Sequence, residues 1–215
     1  MTPATSETRH ATRAGQVVPP AGGDADRTAD RILETATRVL AEDPAASMRR
    51  ISLAAGVGRA TVYRHFPSRE ALIRDIRLKA LRECRAALAD ADLDAGPATE
   101  AIERAIDALL AVVDRYRVLV HEPPPDRSDP EQRALVEEVE GPLLGLIVRG
   151  ADAGELTAEL PARFVLDSLV GLITAARRAI VDGDLAPEGA AAAVSRAFLE
   201  GIGRVAVRTP SRGPG

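Results

Sequence analysis

Apolar residues recur every three or four positions along most of the chain, and no useful stretch alternates between apolar and polar residues as a strand does. In residues 27–42, for example, Ile32, Ala36 and Val39 fall on one helical face. Pro44 ends this first helix because proline disfavours helical geometry at the residue before it. The sequence therefore predicts an all-α protein.

Three further helices follow closely. Ser47 is placed to cap a second helix, and Gly56 ends it because glycine adopts a left-handed turn at little cost. A third helix spans residues 59–65 and stops before Pro67, and Ser68 caps a fourth. The fourth helix carries one apolar stripe, made of Leu72, Ile76, Ala80, Cys84 and Leu88. The stripe is long enough to leave a small N-terminal bundle and enter a second domain.

The C-terminal half continues as helices separated by proline- and glycine-rich loops. After a linker at 90–98, a helix is predicted from Thr99 to about Tyr116, and the three prolines at 123–125 enforce an extended loop. Asp129 caps the next helix, with Pro130 at the favoured first position. Gly141 and Pro142 are expected to break or kink that helix, so that 143–152 forms a further helix that ends near Gly154.

The last two helices begin at Pro161 and Pro187. The first extends to about Asp182 and is apolar on more than one face, and the second is rich in alanine, which permits close helix approach. We expect these helices to pair with their symmetry mates in a homodimer. The alternative, that both are ordinary core helices, remains open.

Four segments are predicted. Residues 1–26 lack the apolar core of a secretory signal and are expected to form a flexible arm. Residues 27–79 form an N-terminal three-helix bundle, residues 80–208 a C-terminal helical domain, and residues 209–215 a flexible tail.

Several classes of function have no support in the sequence. Cys84 is the only cysteine, and the three histidines lie far apart, so a disulfide framework or a Cys/His zinc site within one chain is excluded. No apolar stretch reaches the roughly 20 residues of a membrane span. No catalytic triad, phosphate-binding loop or dinucleotide motif is present. We expect a cytoplasmic protein that is not an enzyme and needs no cofactor or metal.

Positive charge is concentrated in one segment. Residues 47–79 contain eight basic and two acidic residues, whereas the whole chain has a net charge of -4. Such an asymmetry indicates a local surface for anions on an otherwise acidic protein.

The same segment carries a specific motif. Its elements are Ala55-Gly56-Val57 at the turn, Thr61-x-Tyr63-x-His65-Phe66 in the third helix, and Pro67-Ser68-Arg69-Glu70-Ala71-Leu72 after it. Residues 47–72 resemble the N-terminal signature of TetR-family transcription regulators. The resemblance implies that the bundle is a helix-turn-helix DNA-binding domain, joined by the long fourth helix to a ligand-binding and dimerisation domain.

Three positions depart from the family's usual pattern. Ser52 replaces the usual alanine, and its hydroxyl can return to the preceding helical turn. Leu53 stands where a polar residue is common, and we expect it to pack against the first or fourth helix. Gly58 replaces the usual serine cap of the third helix, and glycine is an acceptable cap.

In a helix-turn-helix the second helix of the motif enters the major groove with its N-terminal residues toward base edges. Arg59 suits a bidentate bond to guanine, and Thr61 can offer a hydroxyl or a methyl group to a base. Tyr63 and His65 resemble the family's phosphate and sugar contacts. The remaining predicted backbone contacts are Arg64, Ser47 and Arg69. Arg74 and Arg77 are expected to face water.

The resemblance further implies a small-molecule effector that binds in the C-terminal domain and changes the spacing of two DNA-binding units. The candidate pocket residues are Leu109, Leu110, Val113, Leu144, Ile147, Phe164, Ser168, Leu169 and Ile173. The apolar ones are more often plain core, and Ser168 is a polar residue for which surface exposure is the default. Polar side chains that could orient a ligand include Asp114, Arg117, His121, Thr174 and Arg177. The scarcity of aromatic residues favours an apolar, aliphatic pocket.

The function expected from these features is that of a dimeric, ligand-responsive repressor that binds a palindromic operator in double-stranded DNA. The alternative is a helical small-molecule carrier or protein adaptor with a vestigial helix-turn-helix.

Overall fold

The computed structural model describes residues 22–120 and 122–202. This part of the chain contains eight α-helices and one short 3-10 helix, which confirms the predicted all-α class. The α-helices are α1 (Gly22–Glu42), α2 (Met48–Ala54), α3 (Arg59–His65), α4 (Arg69–Asp90), α5 (Ala98–Arg115), α6 (Pro130–Asp152), α7 (Ala162–Asp182) and α8 (Pro187–Ile202). The 3-10 helix, Arg117–Val120, follows α5. Among these residues no helix is both long and apolar enough to cross a membrane.

The N-terminal helices begin and end largely where the sequence predicts. The Ser47 hydroxyl accepts a hydrogen bond from the backbone N–H of Arg50 at 3.3 Å, and Ser68 accepts one from Ala71 at 3.1 Å. Gly56 has a φ of 65° at the turn after α2. The start of α1 differs, because the helix begins at Gly22 and takes in part of the arm predicted for residues 1–26. The rest of that arm, the predicted tail and His121 lie outside the described residues.

Two of the departures from the family pattern have different outcomes. The Ser52 hydroxyl donates to the carbonyl of Arg49 at 2.8 Å, so the predicted return to the preceding turn is confirmed. The expectation that Leu53 packs against α1 or α4 is wrong, since its side chain is 71% exposed. Ile51 and Ala55 fill the inner face of α2 and leave Leu53 on the outer face.

The sequence predicts that Gly141 and Pro142 break or kink the helix. The break into two helices is wrong, because α6 runs through both residues. Gly141 and Pro142 lie on the exposed side of α6, where water can solvate the carbonyl group that a proline leaves without a partner. The buried residues keep their helical spacing on both sides of Pro142, from Leu135 and Val136 to Leu143 and Ile147. The buried face therefore holds the helix together across the proline.

Two hydrophobic clusters form the interior, and α4 contributes to both. In the N-terminal cluster, Leu72 and Ile76 of α4 pack with residues of α1, α2 and α3. In the C-terminal cluster, Leu88 packs with residues of α5 to α8, and Cys84 is half-buried between the clusters. The predicted stripe along α4 is thus the connection between the two cores.

The N-terminal cluster also includes residues from beyond α4. Val112 and Tyr116 near the end of α5, together with Val118 and Leu119 of the 3-10 helix, are buried in it. The 3-10 helix therefore packs under the N-terminal bundle while it is covalently joined to the C-terminal domain.

A row of ion pairs, here called the α4–α6 seam, holds α4 against the beginning of α6. Arg74 donates to Asp129 at 2.6 Å and to Glu131 at 3.0 Å, and Arg82 donates to Glu131 at 2.6 Å. An ion pair between Arg85 and Glu138 extends the row by two helical turns. The hydrogen bond from Arg74 is the main cause that lowers the pKa of the Asp129 carboxyl well below its usual range.

The expectation that Arg74 and Arg77 face water is accordingly wrong. Arg74 lies in the α4–α6 seam, and Arg77 donates to the carbonyl of Pro123 at 2.6 Å. Arg74 also pairs with the neighbouring Asp75, but Asp129, Glu131 and Pro123 are 46 or more residues away from the arginines that bind them, so the helical pattern of α4 alone gave no sign of these partners.

We predict that Gly150 and Gly145 of α6 respond oppositely to alanine. A Cβ at Gly150 would lie 2.9 Å from the Cβ of Ala98 and 2.9 Å from Cδ1 of Leu156, whereas a Cβ at Gly145 meets nothing within 4 Å. Gly145→Ala should raise the free energy of unfolding by about 0.5–1 kcal/mol through helix propensity. The free energy of unfolding of Gly150→Ala should be about 1–3 kcal/mol lower than that of the Gly145→Ala control, because the added methyl group overpacks the core. Urea denaturation followed by circular dichroism measures both, and equal stabilities would contradict the packing described here.

We predict that the α4–α6 seam weakens in acid. Because the folded-state pKa of Asp129 is lowered, its contribution to stability is present above the unfolded pKa of about 4 and is lost as the pH falls toward the folded value. Asp129→Asn keeps a capping side chain but removes this charge. The melting temperature of the variant should therefore fall less than that of the wild type between neutral pH and pH 3. Identical pH profiles would show that Asp129 does not contribute through its charge.

Candidate nucleic-acid interface and effector region

The helix α3 is anchored by one face and exposes the other. Val62 and Phe66 are buried in the N-terminal cluster, at 0% and 2% exposure. Arg59, Tyr63 and Arg64 are exposed, and the backbone begins the helix at Gly58 without a side-chain cap. The unblocked start of α3 and its exposed face are the parts that a DNA groove could reach.

Most of the basic residues at 47–79 are occupied within the protein. Arg50 pairs with Asp43, Lys79 contacts Glu34 at 3.2 Å, and Arg74 and Arg77 are bound as described above. Arg69 bonds to the loop between α1 and α2. Three arginine side chains of this segment have no hydrogen bond or ion pair within the described part of the chain, namely those of Arg49, Arg59 and Arg64. Within residues 47–79, the positive charge that remains available is therefore confined to α2 and α3.

Ser47 and Arg69 differ in how free they are to contact phosphate. Ser47 is exposed, and because its hydroxyl oxygen accepts from Arg50, the hydroxyl hydrogen remains available to donate. The Arg69 guanidinium donates to the carbonyls of Pro44 at 2.6 Å and Ala46 at 3.1 Å, and lies 3.9 Å from Glu122. Arg69 thus fixes the loop that leads into α2, and its contact with phosphate stays a prediction.

Thr61 and His65 are only half-exposed beside the outer face of α3. The His65 ring lies 6.3 Å from the Phe66 ring, between centroids, and its Nε2 atom is buried without a hydrogen-bond partner. Tyr63 is 41% exposed, so a larger fraction of its side chain is accessible than of Thr61 or His65.

Nothing in the helical pattern marked Leu53 as part of this surface. It lies four residues after Arg49 and therefore on the same face of α2, and both side chains are exposed. Its only sequence signal was the departure from the polar residue common in the family. The exposed surface thus combines Arg49 and Leu53 of α2 with the outer face of α3.

The nine predicted pocket residues do not surround a single cavity. Leu109, Ile147, Leu169 and Ile173 are buried in the C-terminal cluster, and Leu110, Val113 and Leu144 pack half-buried against it. Ser168 is half-exposed and donates to the carbonyl of Phe164 at 2.8 Å. Phe164 itself is 56% exposed on the outside of α7.

Two cavities of the C-terminal domain contain few or none of these nine residues. A small one, of about 10 Å³, lies between α5 and α7, and Leu110 and Val113 are among its walls. An open groove of about 550 Å³ lies between α4, the loop after it and α6. Leu88, Leu93 and Leu146 form part of the groove, which none of the nine predicted residues lines.

The outer faces of α7 and α8 are apolar or small at several positions. Phe164, Val170 and Val181 are exposed on α7. Ala192, Ala193 and Ala197 are exposed on α8, whose opposite face packs into the C-terminal cluster through Val194 and Phe198. These two adjacent helices therefore present small and apolar side chains to the outside.

Comparison with known proteins found a matching family model and a similar curated protein. Residues 32–76 match the family model described as bacterial regulatory proteins, tetR family. A curated relative, the HTH-type transcriptional repressor LfrR of Mycolicibacterium smegmatis, is 35% identical over 115 residues. The alignment spans 54% of this chain and 60% of that relative.

Solved structures extend the likeness over most of the chain. The crystal structure of the TetR-like regulator LfrR from Mycobacterium smegmatis in complex with proflavine has 28% identity and a TM-score of 0.67, and the match covers 83% of this chain and 99% of that one. The TetR-family regulator PfmR from Thermus thermophilus has 25% identity and a TM-score of 0.65, with 81% of this chain and 100% of that one covered. Residues 32–76 thus match the model of the tetR family of bacterial regulatory proteins, and the whole helical arrangement is similar to that of solved TetR-family regulators.

Proposed function

We propose that this protein is a transcriptional repressor that binds a palindromic DNA operator as a homodimer and releases it when an effector binds. The observation that carries the proposal is the surface of α2 and α3, where three arginines without partners lie beside the exposed ring of Tyr63. A cytoplasmic location goes with this proposal, and no catalytic role is part of it.

Each side chain on this surface suits one kind of DNA contact. Arg59 lies in the first turn of α3, where a side chain faces base edges when the helix enters the major groove, and it can bind guanine through two hydrogen bonds. Thr61 is close enough to the same end to contact a base, although half of its surface is covered. Tyr63, Arg64 and Ser47 are placed for sugar and phosphate contacts, which fix the register but carry little sequence information.

His65 and Arg69 have secondary places in this proposal. Burial of its Nε2 atom limits His65 to contacts through the rest of the ring. Arg69 supports the interface by holding the loop before α2, so that Ser47 is presented at the helix start.

A dimer is proposed because one helix-turn-helix reads about one half-site, and two half-sites lie roughly one helical turn apart or a multiple of it. The exposed apolar and small residues of α7 and α8 support a symmetric four-helix interface. Burying such a face in a partner removes apolar surface from water without disturbing the C-terminal core.

An effector site is proposed in the C-terminal domain because the related LfrR structure contains proflavine, a small molecule bound by that protein. For release of DNA, the effector must bind better to the conformation with the unfavourable spacing of the two DNA-binding units. The nine pocket residues predicted from the sequence stay candidates, with Leu110 and Val113 supported by their place at a cavity.

The alternative, a carrier or adaptor with a vestigial helix-turn-helix, is not favoured. A vestigial motif has no need to keep the side chains of Arg49, Arg59 and Arg64 without partners on one exposed surface while the other cations of the segment bind ion pairs or carbonyls within the protein.

We predict that loss of Arg59 or Tyr63 weakens operator binding by about 1–3 kcal/mol. Loss of Arg64 should reduce the slope of the logarithm of the binding constant against the logarithm of the salt concentration by about 1, as expected for one lost phosphate contact. The operator is first selected from a random DNA library with the purified wild-type protein. Fluorescence anisotropy at several salt concentrations then compares Arg59→Ala, Tyr63→Ala and Arg64→Ala. The matched control is Arg133→Ala, an exposed arginine of α6 that should leave binding unchanged. Absent or salt-independent binding by the wild type would instead support the carrier.

We predict that Val170→Asp converts the dimer to a monomer, because a charge in an apolar interface core is left unpaired. Val148→Asp is the control, since Val148 of α6 is similarly exposed, at 44% against 41%, but lies outside the α7–α8 face. Sedimentation velocity at micromolar concentration distinguishes the two forms. A monomeric wild type, or equal behaviour of both variants, would overturn the proposed interface.

A further inference from the structure

Two buried polar atoms without hydrogen-bond partners line the same cavity. They are Oδ1 of Asp114 on α5 and Nε of Arg177 on α7, and within the described residues only one other buried side-chain atom, on His65, shares this state. The cavity lies at the C-terminal ends of α5 and α7. Its remaining walls are Leu110, Val113, Arg117, Ile180 and Val181.

The two side chains are only partly neutralised by their surroundings. The Asp114 side chain is 42% exposed, and its Oδ2 accepts a hydrogen bond from Nη2 of Arg117 at 3.4 Å. Its Oδ1 is buried, and Nε of Arg117 lies 3.3 Å from it without the geometry of a hydrogen bond. Arg177 donates only to the carbonyl of Leu119, at 3.3 Å, and within the described chain no carboxylate lies within ion-pair distance of it. Burial, reinforced by the positive charge of Arg77, lowers the pKa of Arg177.

The unsatisfied pair defines the polarity of an occupant. Arg177 Nε–H needs an acceptor and Asp114 Oδ1 needs a donor, so a complementary group must provide both. A carboxylate has no hydrogen to donate to Asp114, and an ammonium group has no acceptor for Arg177. A group with both functions therefore fits best, and an uncharged amide places its acceptor and its donor on two separate atoms, as two separate side chains require.

The size of the cavity shows how a ligand could enter. A volume of about 10 Å³ is close to the space of one water molecule, so a larger group must displace a wall. Val181 is 38% exposed, and Arg117 is also exposed, so both can move outward without opening the C-terminal core. The aliphatic walls would then contact the apolar part of the ligand.

We propose that this cavity is an effector subsite for an uncharged molecule in which an amide group is attached to an aliphatic body. The amide oxygen accepts from Arg177, and the amide N–H donates to Asp114. This inference rests on the proposed ligand-responsive function and specifies the chemical class of the ligand.

The position of the subsite also links it to the DNA-binding bundle. Arg177 bonds to Leu119, which belongs to the 3-10 helix and is buried in the N-terminal cluster. A ligand that draws the Arg177 guanidinium toward the cavity weakens this bond at 3.3 Å and releases the 3-10 helix. Because that helix packs against α1 in the N-terminal cluster, its movement changes the placement of α3.

The test uses the full-length wild-type protein and three matched probes. Hexanamide has both hydrogen-bonding functions, N,N-dimethylhexanamide lacks the donor, and hexanoate carries a negative charge. Binding is followed by NMR of the arginine Nε–H groups, in which Arg177→Met identifies the Arg177 signal. We expect hexanamide to shift this signal saturably, and to bind about tenfold or more tightly than either analogue because each analogue leaves a buried group unpaired.

Variants locate the site independently. Arg177→Met and Asp114→Ala should each weaken hexanamide binding about tenfold, whereas Arg178→Met, at the next and largely exposed position, should leave it unchanged. The selectivity among probes on the wild type keeps the test decisive if a variant fails to fold. Equal binding of the three probes, or no response of the Arg177 signal to hexanamide, would mean that the cavity holds water only and would overturn the proposal.

A parallel measurement separates this inference from the proposed function. Fluorescence anisotropy on the selected operator, with and without hexanamide, should show weaker DNA binding when the amide is bound. DNA binding that is intact but unaffected by a bound amide would overturn the link through the 3-10 helix while leaving the subsite and the repressor function in place. Amide binding without any DNA binding would contradict the proposed function alone.

Discussion

The burial of one apolar stripe along α4 is the interaction on which the rest of the structure depends. Leu72 and Ile76 complete the core that holds α3 in place, and Leu88 belongs to the core of the C-terminal helices. Since both cores need the same helix, neither can repack without moving it. The charged side of α4 then fixes its direction through the α4–α6 seam, so apolar burial provides the attachment and ion pairs provide the alignment.

The distribution of arginine partners explains how an acidic protein can present a DNA-binding surface. The cations of α4 are largely used to join helices, while those of α2 and α3 remain without partners in the described chain, Arg50 excepted. The local charge predicted from residues 47–79 is therefore larger than the charge that DNA would meet. Because few cations are available to bind phosphates, the fit of α3 in the groove and its base contacts must contribute a larger part of the DNA affinity.

Local signals in the sequence predicted most of the helices. Capping residues such as Ser47 and Ser68, and the left-handed Gly56, act within a few residues, so their effects can be read without knowing the fold. Pro142 was misleading because its local cost is outweighed by a buried face that extends through both halves of α6. A tertiary effect of this kind has no short-range signature.

In the candidate site, too, local features could be predicted from the sequence, and contacts between distant residues could not. The exposed positions of α3 follow from its period and from the burial of Val62 and Phe66, and were predictable. The partners of Arg69 and Arg74, and the exposure of Leu53, depend on residues distant in sequence. The sequence could not predict that Asp114 and Arg177 line one cavity with unsatisfied atoms, because 63 positions separate these two residues.

The length of α4 has a mechanical consequence. Its 22 residues span about 33 Å at the usual helical rise, with one end in each core. A rigid rod of that length converts a rotation of about 5° at the Leu88 end into a displacement of about 3 Å at the Arg69 end, which is close to the spacing of one base pair. Sub-ångström repacking among the C-terminal helices is therefore amplified, by leverage alone, into a change of register on the double helix.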